Sequence, residues 1–519
     1  MSKELSTSLK NAVKGTALIF AGTVAGNILW FVIKIVIVRK LTVEEFGLYS
    51  LAITIPTVFA ALAALGTGEG TVRNIASLIG EDKRGDADSL ARASLHINII
   101  SSTTAGILLF LLAGIMARYV FYKPDIAVPL RILSITVPLF TLIGILGSIL
   151  RGHGFVRHKI YYQDLGQPLY YLAFMSILLI TGFTFLKLIY AYTLSVTLVF
   201  VSLASYEYKK LYISPLPLIK GMHYQKLLQF SLPLLIAGIS SLVLNWTDTL
   251  MLGRYTPPAS VGIYNVGLSL AQLMNFVLMS LSFVFLPMAS EMYAKDQLPE
   301  LKKTYRVLTK WVFTATFPLF FILFFFPEMT IAFLFGWDLV AASLPLRILA
   351  AGFLFHVFMG PNGLLLMAIG KTKTIMQISI ATALLNVVLN YILIKRFGMD
   401  VVGAAAASLV SYVLANLLTA AVLYRSSGIH PFTLRYIKPI LGASAMGLLI
   451  YFLVKKIFFA WWLMPIYLIL FVFGYTASLL LSRSMDSDDI ALFMAVLKRT
   501  GIRAEWLQRL IHQFANKKY

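Results

Sequence analysis

The sequence predicts an all-α polytopic membrane protein of about fourteen transmembrane helices, on three observations. Composition is the first: of 519 residues, 59% are hydrophobic and 13% charged, whereas soluble domains carry about a quarter charged residues. Run length is the second. Apolar stretches of the roughly 20 residues that a helix needs to cross a hydrocarbon core recur along the chain, too long for the roughly 10-residue alternating strands of a membrane barrel. The third is an internal repeat of six helices.

The elements follow from where apolar runs meet charge or turn residues. The first six lie at about 15–38, 48–66, 92–117, 128–150, 160–181 and 187–206. The next six lie at about 227–252, 262–286, 310–326, 345–369, 375–394 and 403–424, and two more at 437–454 and 462–482. The polar N-terminal stretch "MSKELSTSLKNAVKG" lacks a small-residue cleavage site, so the first helix is expected to be retained. After the last run, Ile502, Trp506, Leu510 and Phe514 recur at steps of four in a basic tail. That spacing predicts an amphipathic helix on the inner membrane surface.

A net charge of +22 would suggest nucleic acid in a soluble protein. Here its distribution gives a different meaning. With the N-terminus inside and residues at helix ends counted with the adjoining segment, 31 of the 44 lysines and arginines fall on the cytoplasmic side, 12 on the outer side, and Lys34 lies within the first run. That bias places both termini in the cytoplasm of a cell (cytoplasmic) membrane protein and argues against a nucleic-acid partner. No cysteine is present, so disulfides and thiol chemistry are excluded. No phosphate-binding GxxxxGK[ST] loop or HExxH helix occurs, and every loop is short. Neither a catalytic residue nor a metal site is expected; the acidic "SMDSDD" stretch has no partner fold around it.

The repeat begins in an elbow. "VRKLTVEEFGLYSLA" returns as "LGRYTPPASVGIYNVGLSL", with Arg39, Gly47 and Tyr49 meeting Arg254, Gly262 and Tyr264 at an offset of 215. "PLRILS" at 129–134 returns as "PLRILA" at 345–350, and Gly147 and Gly154 meet Gly363 and Gly370, all at an offset of 216. Each unit holds six runs, an even number, so the two units point the same way across the membrane. The expected organisation is a six-helix lobe over 1–210, a second over 211–426, two added helices over 427–482, and a cytoplasmic basic tail over 483–519. Parallel repeats of this kind enclose a path between them and suit alternating access.

Polar residues inside apolar runs are costly and usually face a cavity or a partner. Asn27, Trp30 and Lys34 share one face of the first run. Lys34 either lines a cavity or snorkels toward the outer surface. Ser241, Asn245 and Asp248 share a face of the seventh run, and Asn265, Gln272 and Asn275 one of the eighth. For Asp248 the alternative is a pair with Arg254, and for the eighth-run trio it is interhelical hydrogen bonding. Glu69 and Arg73 are spaced for a local ion pair. Arg131 and Arg347, repeat mates near outer helix ends, are candidates for lipid phosphate or simple interface anchoring. For His96, Asp164 and His356 a structural role is the simpler expectation.

"VRKLTVEEFGLYSLA", "WTDTLMLGRYTPPASVGIYNVGLSLAQL" and "LNVVLNYILIKRFGMDVVGAAAASLVSYV" resemble the polysaccharide-transporter, or Wzx-type oligosaccharide flippase, family, over roughly residues 10–425. That family belongs to the multidrug/oligosaccharidyl-lipid/polysaccharide (MOP) exporter superfamily. The resemblance implies a two-lobed, V-shaped transporter of fourteen helices. Its expected substrate and partner is a lipid-linked oligosaccharide carried on polyprenyl-(pyro)phosphate, among membrane lipids. It implies no enzymatic step and no cofactor, with Na⁺ or H⁺ coupling expected through a buried carboxylate, Asp248 first and Asp164 next. On spacing and polarity, Lys34 would meet the phosphate, and Asn245, Asn265 and Gln272 the sugar hydroxyls, with Asn27 and Asn275 as further candidates to line the cavity. A monomer is expected. The alternatives are a cation-coupled multidrug exporter of the same superfamily, a peptidoglycan-precursor flippase, and, less favoured for want of a large outer loop, a polysaccharide polymerase.

Overall fold

A computed structural model describes residues 3–155, 157–211, 221–432, 437–457 and 464–481. Among the described residues, each of the fourteen apolar runs falls largely on helix, and no strand occurs. Eight helices there are long and apolar enough to cross a membrane. Pro124–Leu133 and Thr136–Gly152, bent by 40°, make a ninth span if counted together. The chain is an all-α polytopic membrane protein. The amphipathic tail and "SMDSDD" lie outside the described residues.

Local chemistry sets several boundaries. Thr42 caps Val43–Ala63 with a capping box: its hydroxyl accepts from the Glu45 amide, while the Glu45 carboxylate accepts from the Thr42 amide. A left-handed Leu65 and Gly66 (φ +50° and +67°) then break the chain before Thr67–Gly80. Helix Arg84–Ile115 turns Ile100, Ile107, Leu111 and other large apolar side chains outward. In water that surface would be a liability; in a bilayer it faces its solvent.

The described contacts divide the chain into two compact units. One comprises residues 18–265 and 387–404, the other residues 1–17, 266–386 and 405–519. The first therefore takes in residues from both copies of the repeat. In it, Arg84–Ile115 and Phe185–Leu211 pack along Thr136–Gly152, and Val43–Ala63 along Gly221–Tyr255. In the second, Phe285, Tyr305, Leu308, Leu365 and Leu423 form a buried cluster. The two helices beyond the repeat dock there through another: Ile450 and Phe471 bury against Phe321 and Met329. Tyr475 adds a hydrogen bond of 3.1 Å to the Thr314 carbonyl.

The repeated glycines have distinct physical reasons. A Cβ on Gly47 would lie 1.8 Å from the Pro258 carbonyl oxygen, and one on Gly262 would lie 2.6 Å from that of Val43. The elbows of the two copies thus touch backbone to backbone. Gly154 and Gly370 share another requirement, left-handed backbone at φ +85° and +81°, which closes the turn after a helix.

Candidate functional site

Of the polar groups predicted on the seventh and eighth runs, Asp248 and Asn265 are buried in the first unit. Asp248 is 4% exposed near the end of helix Gly221–Tyr255. Its Oδ2 accepts a hydrogen bond from the Tyr264 hydroxyl on Pro258–Gln272, and its Oδ1 accepts one of 2.6 Å from Asn390 Nδ2. Asn390, fully buried, sits where helix Thr372–Asn390 passes into the π-turn Tyr391–Arg396. A buried carboxylate that accepts hydrogen bonds from a tyrosine and an asparagine is a group that a proton or small cation can exploit. The Arg254 alternative is not realised: its guanidinium lies over the Tyr122 ring, 4.2 Å from the centroid.

Asn265 is also buried, donating to the Val261 carbonyl of its own helix (2.9 Å) and to Thr249 Oγ1 of Gly221–Tyr255 (3.3 Å). The second contact is interhelical bonding of the kind given as the alternative. Asn245 is exposed and donates to the Ser241 carbonyl at 2.7 Å, as the spacing along the helix suggests. Gln272 and Asn275 are separated by a break. Pro258–Gln272 ends and Asn275–Ala294 begins around i→i−3 bonds at Leu273 and Met274, so the expected single face of the eighth run is interrupted. Gln272 is exposed, and Asn275 Oδ1 is buried with no hydrogen-bond partner among the described residues.

On the first helix, Lys3–Lys40, Asn27 and Lys34 are half-buried. No carboxylate pairs with Lys34 among the described residues. Asp164 accepts a 2.7 Å bond from Thr23 Oγ1 of the same helix. The approach is close, for a Cβ on Gly26 would fall 2.1 Å from the Asp164 carbonyl oxygen.

The repeat mates Arg131 and Arg347 differ. Arg131 is exposed on Ala127–Leu133. Arg347 pairs with Glu328 at 2.9 and 3.2 Å and donates to the Phe324 carbonyl at 3.0 Å, which leaves less of it for lipid phosphate. Glu69 accepts from Arg151 at 3.0 Å, a longer-range pair than its spacing to Arg73 suggested. His96 bonds the Tyr224 hydroxyl (2.6 Å) and His356 the Asn416 side chain (3.0 Å). Among the described residues no cluster of three or more metal-ligating side chains occurs.

Tyr264 and Asn390 were missed as site residues. Tyr264 could have been found, since it stands in the repeated Gly-x-Tyr of the elbow. Asn390 gave no signal, because its partner lies 142 positions away.

Comparisons with known proteins agree with this fold. Residues 12–293 match the family described as polysaccharide biosynthesis protein, and residues 233–392 match MatE. A probable low-salt glycan biosynthesis flippase, Agl15 of Haloferax volcanii, is 23% identical over 199 residues, 38% of this chain and 41% of that protein. Stage V sporulation protein B of Bacillus subtilis is 24% identical over 442 residues, 79% of this chain and 83% of that one. Among solved structures, the lipid II flippase MurJ in an inward closed conformation superposes with a TM-score of 0.75. It shares 16% identity, over 89% of this chain and 98% of that one. A multidrug resistance MATE family transporter in an inward-facing conformation gives 0.67 at 16% identity, over 79% and 94%.

Proposed function

The chain belongs to the polysaccharide biosynthesis protein family of the MOP superfamily, and from that membership we propose that it is a flippase for polyprenyl-(pyro)phosphate-linked oligosaccharide. It would carry the head group across the cytoplasmic membrane by alternating access, while the lipid tail stays in the bilayer. The halves 1–210 and 211–426 would act as the two lobes, with both termini cytoplasmic.

The observation that carries the substrate class is Lys34, a half-buried ammonium inside an apolar helix with no carboxylate partner among the described residues. Such a charge is retained where an anion arrives to meet it. A lipid-linked pyrophosphate is such an anion. Asn27, Asn245 and Gln272 would add polar contacts for sugar hydroxyls. Asp248, bonded by Tyr264 and Asn390, is the proposed handle for a coupling Na⁺ or H⁺. Asp164, already engaged by Thr23, is the weaker candidate.

The test is leaflet transfer in proteoliposomes, with a fluorescent polyprenyl-pyrophosphate oligosaccharide and an outside-only quencher. Wild type should expose the label to quencher. Lys34→Ala should slow transfer by roughly tenfold or more, the scale of one lost charge-assisted contact. Unchanged transfer in the variant removes Lys34 from the site. The MatE match over 233–392 favours one second reading, a cation-coupled drug exporter. Export of a cationic dye without lipid transfer would select it.

A further inference from the structure

Three chain segments of one unit meet in a cluster of positive charge that the transport reading does not use. They are the turn Phe121–Tyr122–Lys123, the end of helix Gly221–Tyr255, and the π-turn Tyr391–Arg396. Lys123 is 7% exposed, and its ammonium donates to the carbonyls of Gly253, Thr256 (2.9 Å) and Phe121 (3.3 Å). It thereby closes the C-terminal end of Gly221–Tyr255, where carbonyls lack intrahelical partners and the helix dipole is negative.

That tie presents a row of alternating rings and cations. Arg254 lies 4.2 Å from the Tyr122 centroid and 5.6 Å from that of Tyr255. Lys395 lies 5.4 Å from the Tyr255 centroid and 4.9 Å from that of Tyr391. Tyr255 and Tyr391 meet edge to face at 6.3 Å. Tyr122 is 63% exposed and held at φ +55°, a backbone conformation unfavourable for a tyrosine.

The row lacks an anion. Among the described residues no carboxylate pairs with Arg254 or Lys395, and the polar contacts of these two cations are weak ones to the hydroxyls of Tyr122 (3.4 Å) and Tyr391 (3.3 Å). Burial first, and the neighbouring Arg254 second, hold the Lys123 ammonium below its usual pKa, so the cations repel one another. Aromatic faces attract a cation without neutralising it. The sequence places these helix ends on the outer side, and tyrosines and cations at the ends of apolar helices sit at headgroup depth, where lipid phosphates lie.

We propose that Arg254 and Lys395, framed by Tyr122, Tyr255 and Tyr391, bind the phosphate of an anionic lipid head group at the outer surface. The guanidinium fork has donors to spare for two phosphate oxygens, and Lys395 supplies a second charge. The phosphate has two sources: a resident anionic phospholipid, or the transported polyprenyl phosphate after it has crossed. Only the second rests on the function proposed above.

Native mass spectrometry of the full-length protein tests this with three probes: phosphatidylglycerol, phosphatidylcholine and a short-chain polyprenyl phosphate. Wild type should bind at least one anionic probe roughly tenfold more tightly than phosphatidylcholine, and Arg254→Gln with Lys395→Gln should abolish that preference. Arg254→Lys with Lys395→Arg, which keeps both charges, should retain most of it and serves as the folding control, with melting curves taken on all three proteins. A preference for phosphatidylglycerol identifies a resident lipid; one for polyprenyl phosphate alone identifies the transported lipid. No preference in wild type, or an undiminished preference in the charge-removing variant, overturns the proposal. Binding is read without transport, so its failure is distinct from failure of leaflet transfer.

Discussion

Asp248 is one residue whose surroundings set what it can do. Its partners include the neutral Tyr264 and Asn390, and the nearest basic residue in sequence, Arg254, lies over the Tyr122 ring. A cation or proton arriving there would find a preformed oxygen ligand. Asp248→Asn keeps the shape and removes the charge, so transport in proteoliposomes should lose its response to an imposed Na⁺ or H⁺ gradient. Tyr264→Phe removes a donor to that carboxylate and should lower stability by about 1.5–3 kcal/mol, read from unfolding in detergent. Gradient response that survives in Asp248→Asn would leave the residue a purely structural one.

Elements explain why the repeat persists at some positions and has drifted at others. Gly47→Ala would press a methyl into the Pro258 carbonyl, and should cost roughly 1–3 kcal/mol or more because backbone on both sides must shift. Gly363→Ala meets nothing within 4 Å and should stay within about 0.5 kcal/mol, although Gly363 is as faithful a repeat mate as Gly47. Melting curves of the two variants separate a glycine kept for close approach from one kept for no contact.

The turn after helix Asp400–Ser427 carries a pH-dependent contact. His430 Nε2 lies 2.8 Å from Arg306 Nη2, which must donate, so the imidazole is neutral there. Desolvation first, then Arg306 and Lys302, hold its pKa below the usual histidine value of 6.5. A lowered histidine pKa means that the unfolded chain takes up the proton first. The contact should therefore contribute fully above about pH 6.5 and be lost as pH falls through the lowered folded value. His430→Gln should flatten that part of the pH–stability curve. An unchanged slope would place the titration elsewhere.

At the scale of the molecule, orientation is the property most open to direct measurement, since the native chain has no cysteine to remove. The charge bias predicts that Asp125→Cys reacts with a membrane-impermeant maleimide in intact cells and that Glu300→Cys reacts only after lysis. The reverse pattern would invert the topology and move the Arg254–Lys395 row to the inner surface.

The sequence by itself determined that this is a helical membrane protein and where its fourteen apolar runs lie, and it carries the offsets from which two parallel copies are expected in the first twelve. Those properties are sums along the chain: hydropathy over some twenty residues, or offsets between two stretches, need no knowledge of what packs on what. It also gave polar faces on single helices, which is why Asn27, Lys34, Asn245 and Asp248 could be named. Partnership was decided only by the tertiary structure. Asp248 finds Asn390, Lys123 finds the end of Gly221–Tyr255, and Arg347 is absorbed by Glu328 while its mate Arg131 is left exposed. Helix breaks belong to the same class: neither Leu273 nor Met274 is a glycine or proline, yet the α-helix of the eighth run is interrupted there. The physical reason is common to all of these. The cost of placing a polar group in a membrane is local, but its relief depends on which helices meet, and periodicity along one chain cannot encode that.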